Sequence, residues 1–243
     1  MKNPVFSLLT LLLFALGCEQ PRPGPVSESA PSEPDNRPVV LCLGNSLTAA
    51  YGLDLSDGWV ALLQKRVDSL GLGYRLINAG VSGETTSGLR SRMGWMLQGN
   101  IHTVIVESGA NDGLRGTELT TTRDNLSAII DTIRVFNPAA TVILAGMLVP
   151  PNMGPDYSER FRKMYPGLAR EKNVLLIPYF LDGVGGNPDL NLPDGIHPNQ
   201  KGQKVVAETV WKVLGPVLQA QPPLVGGMSA SSSPSETGTT SVR

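Results

Sequence analysis

Leu41-Cys42-Leu43-Gly44-Asn45-Ser46-Leu47-Thr48-Ala49-Ala50-Tyr51 is the stretch on which the fold turns. Preceded by Val39 and Val40, it is an apolar run that ends in a glycine and then presents a serine. A run of this length without polar alternation suits a strand covered on both faces, as in parallel sheets. A serine that leaves such a strand sits at the carboxyl edge of the sheet, where open α/β folds place their ligand crevices. A hydroxyl is a weak nucleophile by itself. It needs a base in hydrogen-bond reach and donors for the oxyanion its attack creates.

Working outward, short apolar runs alternate with longer helical patterns, which predicts βαβ units and a parallel sheet. Strands are expected at Val39–Leu43, Tyr74–Asn78, Thr103–Val106, Thr141–Ala145 and Val174–Ile177. Helical stripes run through Trp59, Leu62, Leu63, Arg66, Val67 and Leu70, through Leu89, Met93 and Met96, and through Leu126, Ile129, Ile130 and Ile133. Tyr157 to Lys172 also reads as helix, with Pro166 expected to kink or divide it. The last helix is expected to begin near Asn199 or Gln200 and to end at Gly215-Pro216. The sum is an α/β domain of three layers, α/β/α, with about five parallel strands.

The ends have a different composition. Lys2 followed by the apolar run Val5 to Leu16 has the length of a signal-peptide core and is too short to span a bilayer. Ala15-Leu16-Gly17-Cys18 resembles a bacterial lipoprotein signal, which would make Cys18 the lipidated first residue of an exported, periplasmic or cell-surface protein. An ordinary secretory signal with an incidental cysteine is the plainer alternative. Residues 19–38 are a linker rich in Pro, Ser and Glu, able to hold a domain up to roughly 60 Å from a membrane. Residues 39–218 form the domain, and 219–243 read as a disordered tail.

Composition narrows the function. The net charge is −1 and no Lys/Arg cluster stands out, so the footprint of a nucleic-acid binder is missing. The two histidines, His102 and His197, do not make the familiar histidine-rich metal signatures. Cys42, in a strand, reads as a small buried hydrophobe. Met and Trp on the helical stripes read as core.

Residues just after several parallel strands meet in space. Gly80 follows the second strand, where a glycine can offer its N–H to a ligand but is as readily a simple turn residue. Asn111 follows the third. Its amide has two donors that suit an oxyanion, although Asn-Asp-Gly is also a common turn. Asp194-Gly195-Ile196-His197-Pro198-Asn199 follows the last. A carboxylate three residues ahead of an imidazole can fix its tautomer and stabilise the imidazolium. His102 falls at the opposite end of the sheet, so a histidine base would be His197.

Together, Gly44-Asn45-Ser46-Leu47, Gly80, Gly109-Ala110-Asn111-Asp112 and Asp194-Gly195-Ile196-His197 resemble the four sequence blocks of the SGNH, or GDSL, hydrolases. Within that family the chain is most similar to the subgroup of bacterial thioesterase I, lysophospholipase and arylesterase. The resemblance spans about Val39 to Leu218. It implies Ser46 as nucleophile, His197 as general base and Asp194 as its orienting carboxylate. The Ser46 and Gly80 N–H groups and the Asn111 side chain would form the oxyanion hole. It also implies a flavodoxin-like strand order, 2-1-3-4-5, and no cofactor. Gly113 and Leu114, with Leu148 and Pro150 after strand four, would line the acyl site. The expected substrate is a small acyl ester or thioester, the expected state a monomer.

One departure stands beside the nucleophile. Asn45 occupies the position where the family usually has Asp, and Ala110 one where Gly is common. The first exchanges an acceptor-only side chain for a near-isostere that also donates. A carbohydrate O-acetyl esterase and a non-catalytic surface binding module on the same fold are the alternatives. An α/β-hydrolase elbow is disfavoured because Thr48 stands where G-x-S-x-G requires glycine.

Overall fold

The computed structural model describes residues 35–220. The signal and Cys18, nearly all of the 19–38 linker, and the tail beyond residue 220 lie outside the described residues. Five parallel strands, β1 (Val39–Gly44), β2 (Arg75–Gly80), β3 (Ile101–Glu107), β4 (Thr141–Ala145) and β5 (Leu175–Ile177), form one sheet in the order β2-β1-β3-β4-β5. This is the expected strand order. β1 is central and every one of its residues is buried, which is why its sequence is continuously apolar.

The helices are α1 (Trp59–Ser69), α2 (Thr86–Ser91), α3 (Met93–Met96), α4 (Ala110–Leu114), α5 (Leu119–Phe136), α6 (Pro155–Glu171) and α7 (Gln200–Ala220). α1 packs on α7, whereas α5 packs on α2, α3 and α6. With right-handed crossovers these groups cover opposite faces of the sheet, giving three layers. Trp59, fully buried, meets the Phe180 ring edge-on at 5.7 Å. Its backbone N–H, an otherwise unpaired donor at the start of α1, is taken by Gln203 Oε1 from α7 at 3.0 Å.

Several boundaries differ from expectation, each for a packing reason. The Leu89–Met96 stripe is broken into two short helices at Arg92, whose side chain turns back to the Glu84 carboxylate and the Ala79 carbonyl. α6 is one helix through Pro166, because Phe161, Met164, Tyr165, Leu168 and Ala169 form one buried stripe across it. α7 likewise continues through Pro216 to Ala220. Leu214 and Leu218, one turn apart and both fully buried, hold it on either side of the proline. The domain therefore extends two residues into the expected tail. β3 begins at Ile101, so His102 lies inside the strand, still at its amino end, against Tyr74 Oη and Thr103 Oγ1.

Candidate active site

The register of the sheet brings three strand ends side by side, since Gly44 pairs with Gly80 on one flank and with Glu107 on the other. The chain leaves all three at the same edge. From β1 it turns tightly. Ala49 N–H donates to Asn45 O and Tyr51 N–H to Ser46 O, which closes the turn and leaves Ser46 at its surface, 9% exposed. Gly80 must be glycine, because a Cβ there would sit 2.3 Å from the Ala49 nitrogen. It ends β2 rather than lying in the following turn.

The fourth segment reaches this edge from the loop before α7. Residues 190–199 form a narrow return, in which Leu192 N–H donates to His197 O and Asn199 N–H to Leu190 O. Asn199 Oδ1 accepts from the N–H groups of Lys201 and Gly202 and caps α7. At the tip, Gly195 takes φ +70°, a left-handed conformation that suits glycine. Asp194 Oδ1 accepts the N–H groups of Ile196 (2.9 Å) and His197 (3.0 Å). Asp194 Oδ2 lies 2.7 Å from His197 Nδ1, and His197 Nε2 lies 2.9 Å from Ser46 Oγ. The His197 backbone N–H above all, with that of Ile196 and the imidazole, holds the Asp194 carboxyl down at about 2, against the opposing effect of burial. It is ionised at any ordinary assay pH, so Nδ1 carries a hydrogen and Nε2 is free to accept from the serine.

The expected oxyanion donors differ in readiness. Ser46 N–H has no acceptor among the described residues. Asn111 belongs to α4 rather than to a turn. One of its Nδ2 hydrogens is used by Glu84 O at 2.9 Å, which fixes the amide plane. Gly80 N–H is turned onto Asn78 Oδ1 at 3.0 Å, so an oxyanion would have to draw it from an exposed side chain. Of the expected acyl-site residues, Leu114, Leu148 and Pro150 are exposed. Gly113, by contrast, is buried, and a Cβ there would fall 2.3 Å from Val149 Cγ1 and 2.9 Å from Phe161 Cε2.

Sequence reasoning missed three features. The Tyr51 ring lies 4.4 Å from the His197 ring and covers one side of the imidazole. Glu107, wholly buried, lies under the serine turn and accepts from Asn45 and Thr48. A carboxylate closing an apolar strand was the available signal for it. Arg92 ties together the two ends of the segment that carries Gly80, donating to Ala79 O and to both carboxylate oxygens of Glu84, whose carbonyl accepts from Asn111. Asp112 is structural, its carboxylate accepting the Thr86 N–H at 2.9 Å and the Thr86 hydroxyl at 2.5 Å. Cys42 is buried, and desolvation pushes its thiol well above the ordinary range, away from thiolate chemistry. Among the described residues no group of three or more His, Cys, Asp or Glu side chains is arranged to hold a metal ion.

The sequence profile of the GDSL-like lipase/acylhydrolase family matches residues 42–205, from β1 into α7. This chain belongs to that family. Esterase TesA of Pseudomonas aeruginosa is 42% identical over 181 residues, covering 74% of this chain and 89% of that protein. Thioesterase 1/protease 1/lysophospholipase L1 of Escherichia coli K12 is 36% identical over 181 residues, 74% of this chain and 85% of the relative. A crystal structure of TesA superposes with a TM-score of 0.70 at 41% identity, covering 74% of this chain and 99% of that one. In this GDSL-like acylhydrolase the matched region includes Ser46, Gly80, Asn111, Asp194 and His197.

Proposed function

We propose that the protein hydrolyses carboxylic esters or thioesters of small acyl substrates through an acyl-serine intermediate. One observation carries the reading. In a member of an acylhydrolase family, Ser46 Oγ, His197 and Asp194 stand in hydrogen-bonded series at 2.9 and 2.7 Å. Similarity to proteins named esterase TesA, arylesterase and thioesterase 1 supports the substrate class. The same series weighs against a binding module that only keeps the fold.

Ser46 Oγ attacks the acyl carbonyl while His197 Nε2 takes its proton. Asp194 balances the imidazolium, which then protonates the departing alcohol or thiol. Water enters by the reverse sequence and releases the acid. The oxyanion of each tetrahedral intermediate is received by Ser46 N–H and by the second hydrogen of Asn111 Nδ2. Gly80 N–H joins them by exchanging Asn78 Oδ1 for the substrate oxygen. The exposed apolar side chains of Tyr51, Val81, Leu114, Leu148 and Ile196, all on segments leaving this sheet edge, suit the acyl part.

p-Nitrophenyl esters of increasing acyl length, assayed beside Ser46→Ala, test the reading. The wild type turns them over and the variant does not; equal rates overturn it. Export and acylation at Cys18 belong to the same proposal. The support is the sequence of residues 1–18, and mass spectrometry of the mature amino terminus decides it. An unacylated terminus at another residue removes the anchor.

A further inference from the structure

Two buried polar side chains beneath the serine turn take no part in the proton relay. Asn45 is 1% exposed and Glu107 is fully buried. Their contact is specific on both sides. Asn45 Nδ2 donates to Glu107 Oε1 at 2.6 Å, while Asn45 N–H (3.0 Å) and the Thr48 hydroxyl (2.8 Å) donate to Oε2. The other atom of the Asn45 amide, Oδ1, accepts Leu47 N–H at 2.9 Å. Leu47, after Ser46, is thus tied to the Asn45 side chain, and Asn45, before it, is tied to Glu107 through both backbone and side chain. Gly44 cannot gain a side chain here, because a Cβ would come within 2.6 Å of Glu107 Oε2.

We propose that Asn45 is a non-titrating donor to Glu107, and that this amide–carboxyl latch, needing no proton shared between two carboxyls, positions the Ser46 N–H and hydroxyl for catalysis. The inference rests on the hydrolase reading. Glu107 touches no reacting atom, and Asn45 meets one only through Oδ1, a long 3.5 Å acceptor for the Ser46 hydroxyl, so both act as positioning residues. All three groups that meet Glu107 from the serine turn donate to it, and of these only the Thr48 hydroxyl can turn to accept when Glu107 holds a proton. An aspartate at position 45 would keep the acceptor for Leu47 N–H but set one carboxylate oxygen against another. Two carboxyls at that separation cannot both ionise cheaply, so they would hold a proton between them and lose it as the pH rises. Asn45 removes that step.

The other titratable groups around the latch do not substitute for its donor. Tyr165, on α6, gives its hydroxyl to Ser108 O; Asp112, on α4, is engaged with Thr86; His197, beyond Ser46, is engaged with Ser46 and Asp194. Burial raises the Glu107 carboxyl to about 8, against the lowering effect of the Asn45 and Thr48 donors.

Amide and carboxylate can be exchanged between the two positions, and this gives a sharp test. In N45D/E107Q, the amide oxygen at position 107 would accept from the backbone N–H of position 45 and from the Thr48 hydroxyl, while the amide nitrogen would donate to the carboxylate at position 45. In E107Q alone, whichever way the new amide is turned, one of its hydrogens faces an N–H donor. Steady-state kinetics on a p-nitrophenyl ester are measured for wild type, S46A, N45D, E107Q and N45D/E107Q. The ratio of N45D to wild-type kcat falls at least ~10-fold between about pH 6 and about pH 9. E107Q loses at least ~10-fold in kcat throughout, with KM changed less than ~3-fold. The exchanged pair recovers most of that loss, and its ratio to wild type is level with pH. An N45D profile parallel to wild type, or an exchanged pair no faster than E107Q, overturns the latch. If E107Q does not fold, the N45D ratio alone decides. Equal rates for wild type and S46A instead overturn the hydrolase reading, and the latch with it.

Discussion

Asp194 performs two tasks with one side chain, since Oδ1 closes its own turn while Oδ2 faces the imidazole. An asparagine keeps the first and inverts the second. Its Oδ1 still accepts the two N–H groups, but its amide hydrogen meets Nδ1, so the imidazole hydrogen moves to Nε2 and the serine proton has no acceptor. Asp194→Asn is expected to fold normally and lose about 10³- to 10⁴-fold in kcat, read by ester hydrolysis beside a thermal melt. Asn111→Ala removes the proposed oxyanion donor without disturbing the Ser46–His197 pair, so turnover is expected to fall about 100- to 1000-fold while an active-site phosphonate still labels Ser46. Near-normal turnover in that variant removes Asn111 from the oxyanion hole. At this scale the residues with distinctive chemistry, Ser46, His197 and Asp194, were legible because their types and spacing leave few alternatives. Tyr51 and Glu107 were not, since a tyrosine in a loop and a glutamate after a strand have many ordinary uses.

Among the elements, the segment from β2 into α2 and α3 depends most on contacts far apart in sequence. Arg92 reaches back to Ala79 O, one residue before Gly80, and clasps Glu84, whose carbonyl fixes Asn111. Their side chains are only 14% and 9% exposed, so removing one partner leaves a nearly buried charge. Arg92→Met should destabilise the domain by about 3 kcal/mol in denaturant titration and lower kcat about 10-fold, as two oxyanion segments loosen together. Adding Glu84→Gln should recover part of the stability. If Arg92→Met leaves kcat unchanged, the clamp is structural only. Helical periodicity identified α1 and α5 from sequence, because burial repeats every turn. It misjudged α6 and α7 at Pro166 and Pro216, where buried neighbours on both sides outweigh the lost backbone hydrogen bond.

For the molecule as a whole, the buried Glu107 couples folding to pH. Its carboxyl stands near 8 in the folded protein and at an ordinary 4.5 when exposed. Between those values the folded state holds a proton that the unfolded state has released. Stability attributable to this group is therefore full below about 4.5 and declines as the pH rises through 8. Chemical denaturation across that range should show wild type losing stability towards alkaline pH, and Glu107→Gln a flatter profile; parallel profiles would place Glu107 outside this linkage. The sequence by itself determined the βαβ alternation and the apolar strand that ends before Ser46, and it singled out the trio proposed for catalysis, because hydrophobic period and residue chemistry are local properties. Only the tertiary structure decided how that trio is supported. The pairing of Gly44 with Gly80 and Glu107 sets three strand ends edge to edge, and the resulting contacts join residues 62 positions apart, as in Asn45 to Glu107. A buried polar group must find its partner wherever the fold supplies one, and that search is settled by packing rather than by proximity along the chain. Asn45, a departure from the family pattern when read as sequence, is in the folded protein the donor that its buried carboxylate meets.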